Sequence, residues 1–132
     1  LFHDYVEKHS NLLKRNGIEP ALMMTWAYKD KPEMTSQLAK EYTVAGNKNN
    51  VLVIPVGLAY ANSTKVHPEI DLYTSDKRHP SKAGTYLSAC VMYASVFQTS
   101  PVGNSYTFDL DTNIALNLQK IAWATHQEYY EN

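Results

Sequence analysis

Little in this sequence ties it to one compartment or to a large charged partner. It has 1 cysteine in 132 residues, Cys90, so no disulfide can form within the chain. A single thiol assigns no redox compartment. Neither sign of charge dominates: 12 Lys and Arg stand against 13 Asp and Glu, for a formal net charge of -1. The basic residues are scattered, which argues against a nucleic-acid face. No apolar run approaches the ~20 residues of a membrane-spanning helix. No signal peptide is visible, and the compartment stays open. Repeats, low-complexity segments and signs of a second domain are absent too. The composition is nonetheless that of a folded domain, 44% hydrophobic and 19% charged, and the length suits one modest core. The 10 tyrosines fit a polar-rimmed cleft or interface, and equally plain packing.

The apolar pattern predicts helices and strands in alternation. Phe2–Arg15 reads as a helix with a stripe of Tyr5, Val6, Leu12 and Leu13, stopped by Gly17. His3 and His9 on it lack ligand partners and read as surface residues. The run from Ala21 to Trp26 is too short for a core helix and reads as a buried parallel strand. Its end delivers Trp26 and Tyr28 into a loop where ligands of parallel sheets bind. Trp26 therefore lines a pocket or plugs the sheet edge. Asp30 and Glu33 read as a capping box for a helix carrying Met34, Leu38, Tyr42 and Ala45, ended by Gly46 and the polar turn Asn47–Asn50. Val51–Val56 is the strongest strand, with Pro55 marking where pairing ends. The two strands are expected to run parallel, joined by the helix between them.

Gly57 opens a short helix to about Val66, and residues 69–74 read as an irregular passage. Ser81–Thr99 is a helix apolar on most sides. Cys90 sits within its apolar run, the setting of an inert thiol. After a turn at Ser100–Ser105, Phe108 and Leu110 read as a short extended piece. A last helix follows from Asp111 to about Tyr129, with Ile114, Leu118, Ile121 and Ala122 inward. It is expected to cover the sheet or an exposed edge.

The stretch Asp76-Lys77-Arg78-His79-Pro80-Ser81 carries the chemistry. Asp76 stands three residues before His79, close enough to orient and charge-stabilise its imidazole, which can then act as a general base. The alternative is a loop Asp and a loop His with no joint role. Pro80 and Ser81 read as the start of the helix that follows, with Ser81 capping. A divalent metal gathered by Glu69, Asp71, Asp76 and His79 is a rival, but no metal-ligand spacing lies on one element, so no metal or cofactor is expected.

Asp76-x-x-His79-Pro80-Ser81 with Gly84 and Tyr86-Leu87 resembles the last conserved block of the SGNH, or GDSL-like, hydrolases, over about Met23 to Gly103. The resemblance implies the C-terminal part of a three-layer α/β/α, flavodoxin-like fold with parallel strands. It implies an ester hydrolase in which Asp76 and His79 are two members of a Ser-His-Asp triad, with small esters, lipids or acylated carbohydrates as substrates and Trp26 and Tyr28 beside them. A bacterial, secreted or periplasmic setting fits such relatives. The family's Gly-Asp-Ser-like nucleophile block is not present here. Residues 1–132 therefore read as one partial domain lacking the N-terminal strand and the serine. The sheet's remaining partner is expected to be an N-terminal segment of the same protein, or a second copy. A non-catalytic subunit or degenerate fragment is the other reading.

Overall fold

Gly17 ends the first helix by a backbone device. In the computed structural model, which describes residues 1–131, α1 spans Phe2–Arg15. Gly17 then adopts φ +71. The amides of Gly17 and Ile18 turn back onto the carbonyls of Lys14 and Leu13, both at 3.0 Å. A left-handed residue at this position satisfies the last helical carbonyls, and glycine adopts that conformation without strain. The chain enters β1 (Ala21–Met23), crosses through α2 (Met34–Asn49), and returns as β2 (Leu52–Ile54). The strands pair in parallel, Ala21 with Leu52 through Met23 with Ile54, as the two apolar runs suggested.

The sheet ends there. Met24 still donates to the Ile54 carbonyl, but its own carbonyl accepts from Gly57, the second residue of α3 (Val56–Val66). Pro55 is the N-cap of that helix. Among the described residues the sheet has two strands, while helices make up 59% of the chain. This corrects the expected three-layer α/β/α arrangement. The architecture is a small helical bundle with a minor sheet. The physical reason lies in the C-terminal half, where the apolar residues recur at helical spacing. They form α4 (Lys82–Phe97) and α5 (Thr112–Glu131), which pack on each other. The core therefore sits between α3, α4 and α5, with β2 against it: Val56, Tyr60, Leu72, Leu87, Val91 and Leu118 are fully buried. Each such side chain contributes about 1.5–3 kcal/mol on burial.

Three local expectations are also corrected. Asp30 does not cap α2, because its carboxylate binds Arg78 at 2.7 Å; Glu33 takes the cap position without a side-chain bond. Gly46 does not end α2. The helix runs on to Asn49, with left-handed Asn50 as its cap, and a Cβ at Gly46 would lie 2.4 Å from Val53 Cγ2. Glycine there lets α2 lie close on β2. Phe108 and Asp109 are not extended but turn through positive φ, 54 and 58. The preceding loop is held from within instead. Buried Gln119 donates to the Tyr86 hydroxyl at 2.9 Å and the Asn104 carbonyl at 3.0 Å, and accepts from Gly103 N–H at 3.0 Å.

The last turn of α5 reaches the sheet. The Tyr130 hydroxyl accepts from the Val53 N–H at 3.1 Å and donates to the Val53 carbonyl, closing the outer edge of β2. Among the described residues no helix is long and apolar enough to cross a membrane.

Candidate functional site

Two loops meet at the C-terminal ends of the strands. One leaves β1 through residues 25–30, and the other joins α3 to α4 through residues 71–81. They are stitched together by the Trp26 indole N–H on the Arg78 carbonyl at 2.8 Å, and by the Tyr73 hydroxyl on the Ala27 carbonyl at 2.7 Å. Lys29 N–H reaches the Lys77 carbonyl at 3.1 Å, and two ion pairs, Lys29–Asp71 at 2.8 Å and Arg78–Asp30 at 2.7 Å, complete the seam. Each neutral bond contributes about 0.5–1.5 kcal/mol. The ion pairs are solvent-exposed and act mainly on geometry.

Asp76 organises the second loop. Its Oδ1 accepts from the amides of Arg78 at 2.8 Å and His79 at 2.9 Å, and from the Thr74 hydroxyl at 2.8 Å. Its Oδ2 accepts from Nδ1 of His79. The His79 bond first, then the backbone donors, hold the Asp76 carboxyl well below the usual carboxylate range. Bonds between Thr74 and His79 and between Ser81 N–H and the Leu72 carbonyl, at 2.9 and 2.8 Å, close the loop behind them. Ser81 caps α4, accepting from Gly84 N–H at 3.2 Å, as its place in the sequence suggested.

Asp76 and His79 are thus brought together. With Nδ1 bound to Asp76, Nε2 of His79 has no partner among the described residues, and the side chain is 79% exposed. Neither residue lines the nearby cleft, which encloses about 570 Å³. Its wall includes Tyr28, Lys29, Lys65, Glu69, Asp71 and Tyr73, so the loop that carries His79 supplies part of it. Tyr28 belongs to its wall and carries the Arg78 guanidinium 4.0 Å over its ring, a cation–π contact. Trp26 is not in the cleft wall. It stacks on Tyr60, centroids 4.8 Å apart at 13°, and Tyr60 meets Tyr73 edge-on at 5.8 Å. The aromatic stack fixes both loops from beneath.

Sequence reasoning did not find Arg78, Tyr73 or the Lys29–Asp71 pair. Their partners stand 42 to 48 residues away, and no local pattern announces them. Burial first, then the neighbouring Asp71 charge, raise the Tyr73 hydroxyl. The bonds from Lys29 and then from Tyr73 N–H lower Asp71.

The expected Ser-His-Asp triad is corrected. Among the described residues no hydroxyl is hydrogen-bonded to His79 Nε2. Ser81, two residues on, spends its hydroxyl on the Asp71 carbonyl at 2.8 Å and on capping. The metal reading is corrected as well. Glu69 pairs with His67 and Asp71 with Lys29, and no three His, Cys, Asp or Glu side chains converge among the described residues. Cys90 is buried in α4, its thiol pushed up to about 11 by burial, against the Tyr86 bond. The resemblance to SGNH hydrolases, with the esterase function and the fold it implied, is overturned by the helical, sheet-poor architecture. No family model, no curated protein and no solved structure matches the chain.

Proposed function

We propose that the seam between the two loops is a ligand site at which His79 accepts a proton. Asp76 orients the ring and Tyr28 supplies an aromatic wall. The observation that supports this reading is the division of labour in the Asp76–His79 pair. One carboxylate oxygen is taken up by the loop's own donors, and the other fixes Nδ1. The basic nitrogen that remains, Nε2, faces outward. A bound carboxylate keeps the neighbouring imidazole in one tautomer and stabilises the cation formed on protonation, which is the task of an orienting acid in general-base chemistry. The adjoining cleft has the size of a small-molecule site, and its lining mixes apolar residues with a few charged ones. Ligands with an aromatic or acyl body and one polar group fit that lining. Trp26 serves this site from below, by holding the Arg78 carbonyl. Residues 1–132 act here as one unit whose sheet is completed by further polypeptide, another segment of the same protein or a second copy.

An NMR screen with small aromatic and acyl compounds tests the site. Compounds that shift Tyr28 and Tyr73 should also shift the His79 ring. Asp76→Asn should keep binding but alter the His79 response. Ligands that shift the cleft residues and leave His79 unmoved would sink the proposal.

A further inference from the structure

The face of α3 that lines the cleft changes character along its length. Gly57, Ala61, Thr64 and Lys65 recur at helical spacing, and all belong to the wall. Gly57 marks the end at the seam, since a Cβ there would stand 2.1 Å from the Thr25 carbonyl oxygen. Gly57 and Ala61 take up little room, and Tyr28 and Tyr73 stand in the same wall. Lys65 follows about two turns later, about 12 Å further along the helix axis.

The charged side chains of the wall are Lys29, Lys65, Glu69 and Asp71. Lys29 and Asp71 bind each other at 2.8 Å. Glu69 stands 3.4 Å from Nδ1 of His67. Lys65 has no ion-pair or hydrogen-bond partner among the described residues, and neither has the hydroxyl of Thr64 beside it. A helical threonine can spend its hydroxyl on the carbonyl a turn back, and Thr64 does not. The spare polar groups at this end of the cleft are therefore an ammonium and a hydroxyl.

Resting on the reading of this cleft as a ligand site, we infer that its ligand is a carboxylic acid. The carboxylate sits on the Lys65 ammonium and the Thr64 hydroxyl, and the aromatic or acyl body lies along Gly57 and Ala61 toward Tyr28. Both spare groups can donate, so the matching group accepts, and a charge-assisted bond to an ionised acceptor is stronger than a neutral one. A cationic ligand would meet the Lys65 charge unopposed, because Asp71 is held by Lys29 and Glu69 by His67. A neutral ligand would draw nothing from that charge. A monoanion also suits the wall better than a phosphate dianion. Only one cation is spare, and the Glu69 and Asp71 carboxylates in the same wall repel a second negative charge.

Titration of the full chain with 4-phenylbutanoate and with 4-phenylbutanamide, followed by NMR, tests it. The two probes share a body and differ in charge. The acid is expected to bind about three- to fivefold tighter than the amide at low salt, and to lose that margin at high salt. Lys65→Met keeps the length of the stem and should remove the margin, while Lys65→Arg should keep it. Lys65 is exposed, so the helical circular-dichroism signal should not change in either variant. An acid that binds no tighter than the amide, or a margin that Lys65→Met leaves intact, overturns the carboxylate. The site itself then stands if the amide still shifts Tyr28 and His79. An acid bound with a Lys65-dependent margin that leaves the His79 ring unmoved supports the carboxylate and overturns the role given to His79. Binding of neither probe overturns both.

Discussion

Replacing Gly84 by alanine should destabilise the protein, although in an ordinary helix interior the same change stabilises. Gly84 lies in the first turn of α4, where the 71–81 loop crosses the helix. A Cβ there would stand 2.2 Å from the Leu72 carbonyl oxygen and 2.7 Å from the Tyr60 hydroxyl. Relief requires the Leu72 backbone to retreat by about an ångström to reach ordinary contact, and it is not free to do so. The Leu72 side chain is fully buried, and its carbonyl holds the Ser81 N–H at 2.8 Å. Helix propensity favours alanine by about 1 kcal/mol. Overpacking of a filled core costs about 1–3 kcal/mol, and the weakened Leu72–Ser81 bond adds about 1 kcal/mol. The net expectation is a loss of about 1–3 kcal/mol. Urea unfolding followed by circular dichroism measures it. The loop amides of Thr74 and His79 should also exchange faster. A Gly84→Ala protein more stable than wild type by about 1 kcal/mol would refute the close approach of loop and helix.

Asp76→Ala should leave the helices intact but release the loop, seen as faster exchange at the Arg78 and His79 amides. The pH dependence has a definite sign. The folded state holds the Asp76 carboxyl below its ordinary range, so its contribution is present above about pH 4 and is lost as pH falls further. Urea midpoints of wild type and Asp76→Ala should therefore converge in acid, and parallel curves would contradict the assignment. At the alkaline end, burial pushes Tyr60 up to about 12, against the bond to the Ser88 hydroxyl. A raised pKa contributes stability that is whole below the unfolded value near 10 and is lost as pH rises toward 12. Over that window wild type should lose up to about 3 kcal/mol more than Tyr60→Phe, measured by the same unfolding curves.

Local signals were legible in the sequence wherever the deciding contacts are local. The bounds of α1, the Ser81 cap, the break at Pro55 and the bond between Asp76 and His79 depend on residues a few positions apart. The parallel pairing of the strands was legible because both runs are apolar at every position and a helix joins them. What failed depended on distant partners. The acceptors of Asp30 look like a capping box until Arg78, far along the chain, claims the carboxylate. Gly46 looks like a stop until Val53 is found against it. The residue pattern itself marked two strands, the number found among the described residues. A short block around His79 suggested a large parallel sheet, whereas the apolar residues of α4 and α5 are satisfied by each other and by α3. Trp26 stood equally for a pocket wall or a plug. It stacks on Tyr60 outside the cleft wall, whereas Tyr28 is part of that wall.

The account turns on which nitrogen of His79 is free. Long-range proton–nitrogen NMR on the uniformly labelled protein, at a pH where the ring is neutral, reads the tautomer directly. The account predicts a proton on Nδ1, held by Asp76, and an unprotonated Nε2, with the preference lost in Asp76→Ala. A proton fixed on Nε2, or a His79 ring indifferent to the loss of Asp76, would contradict it.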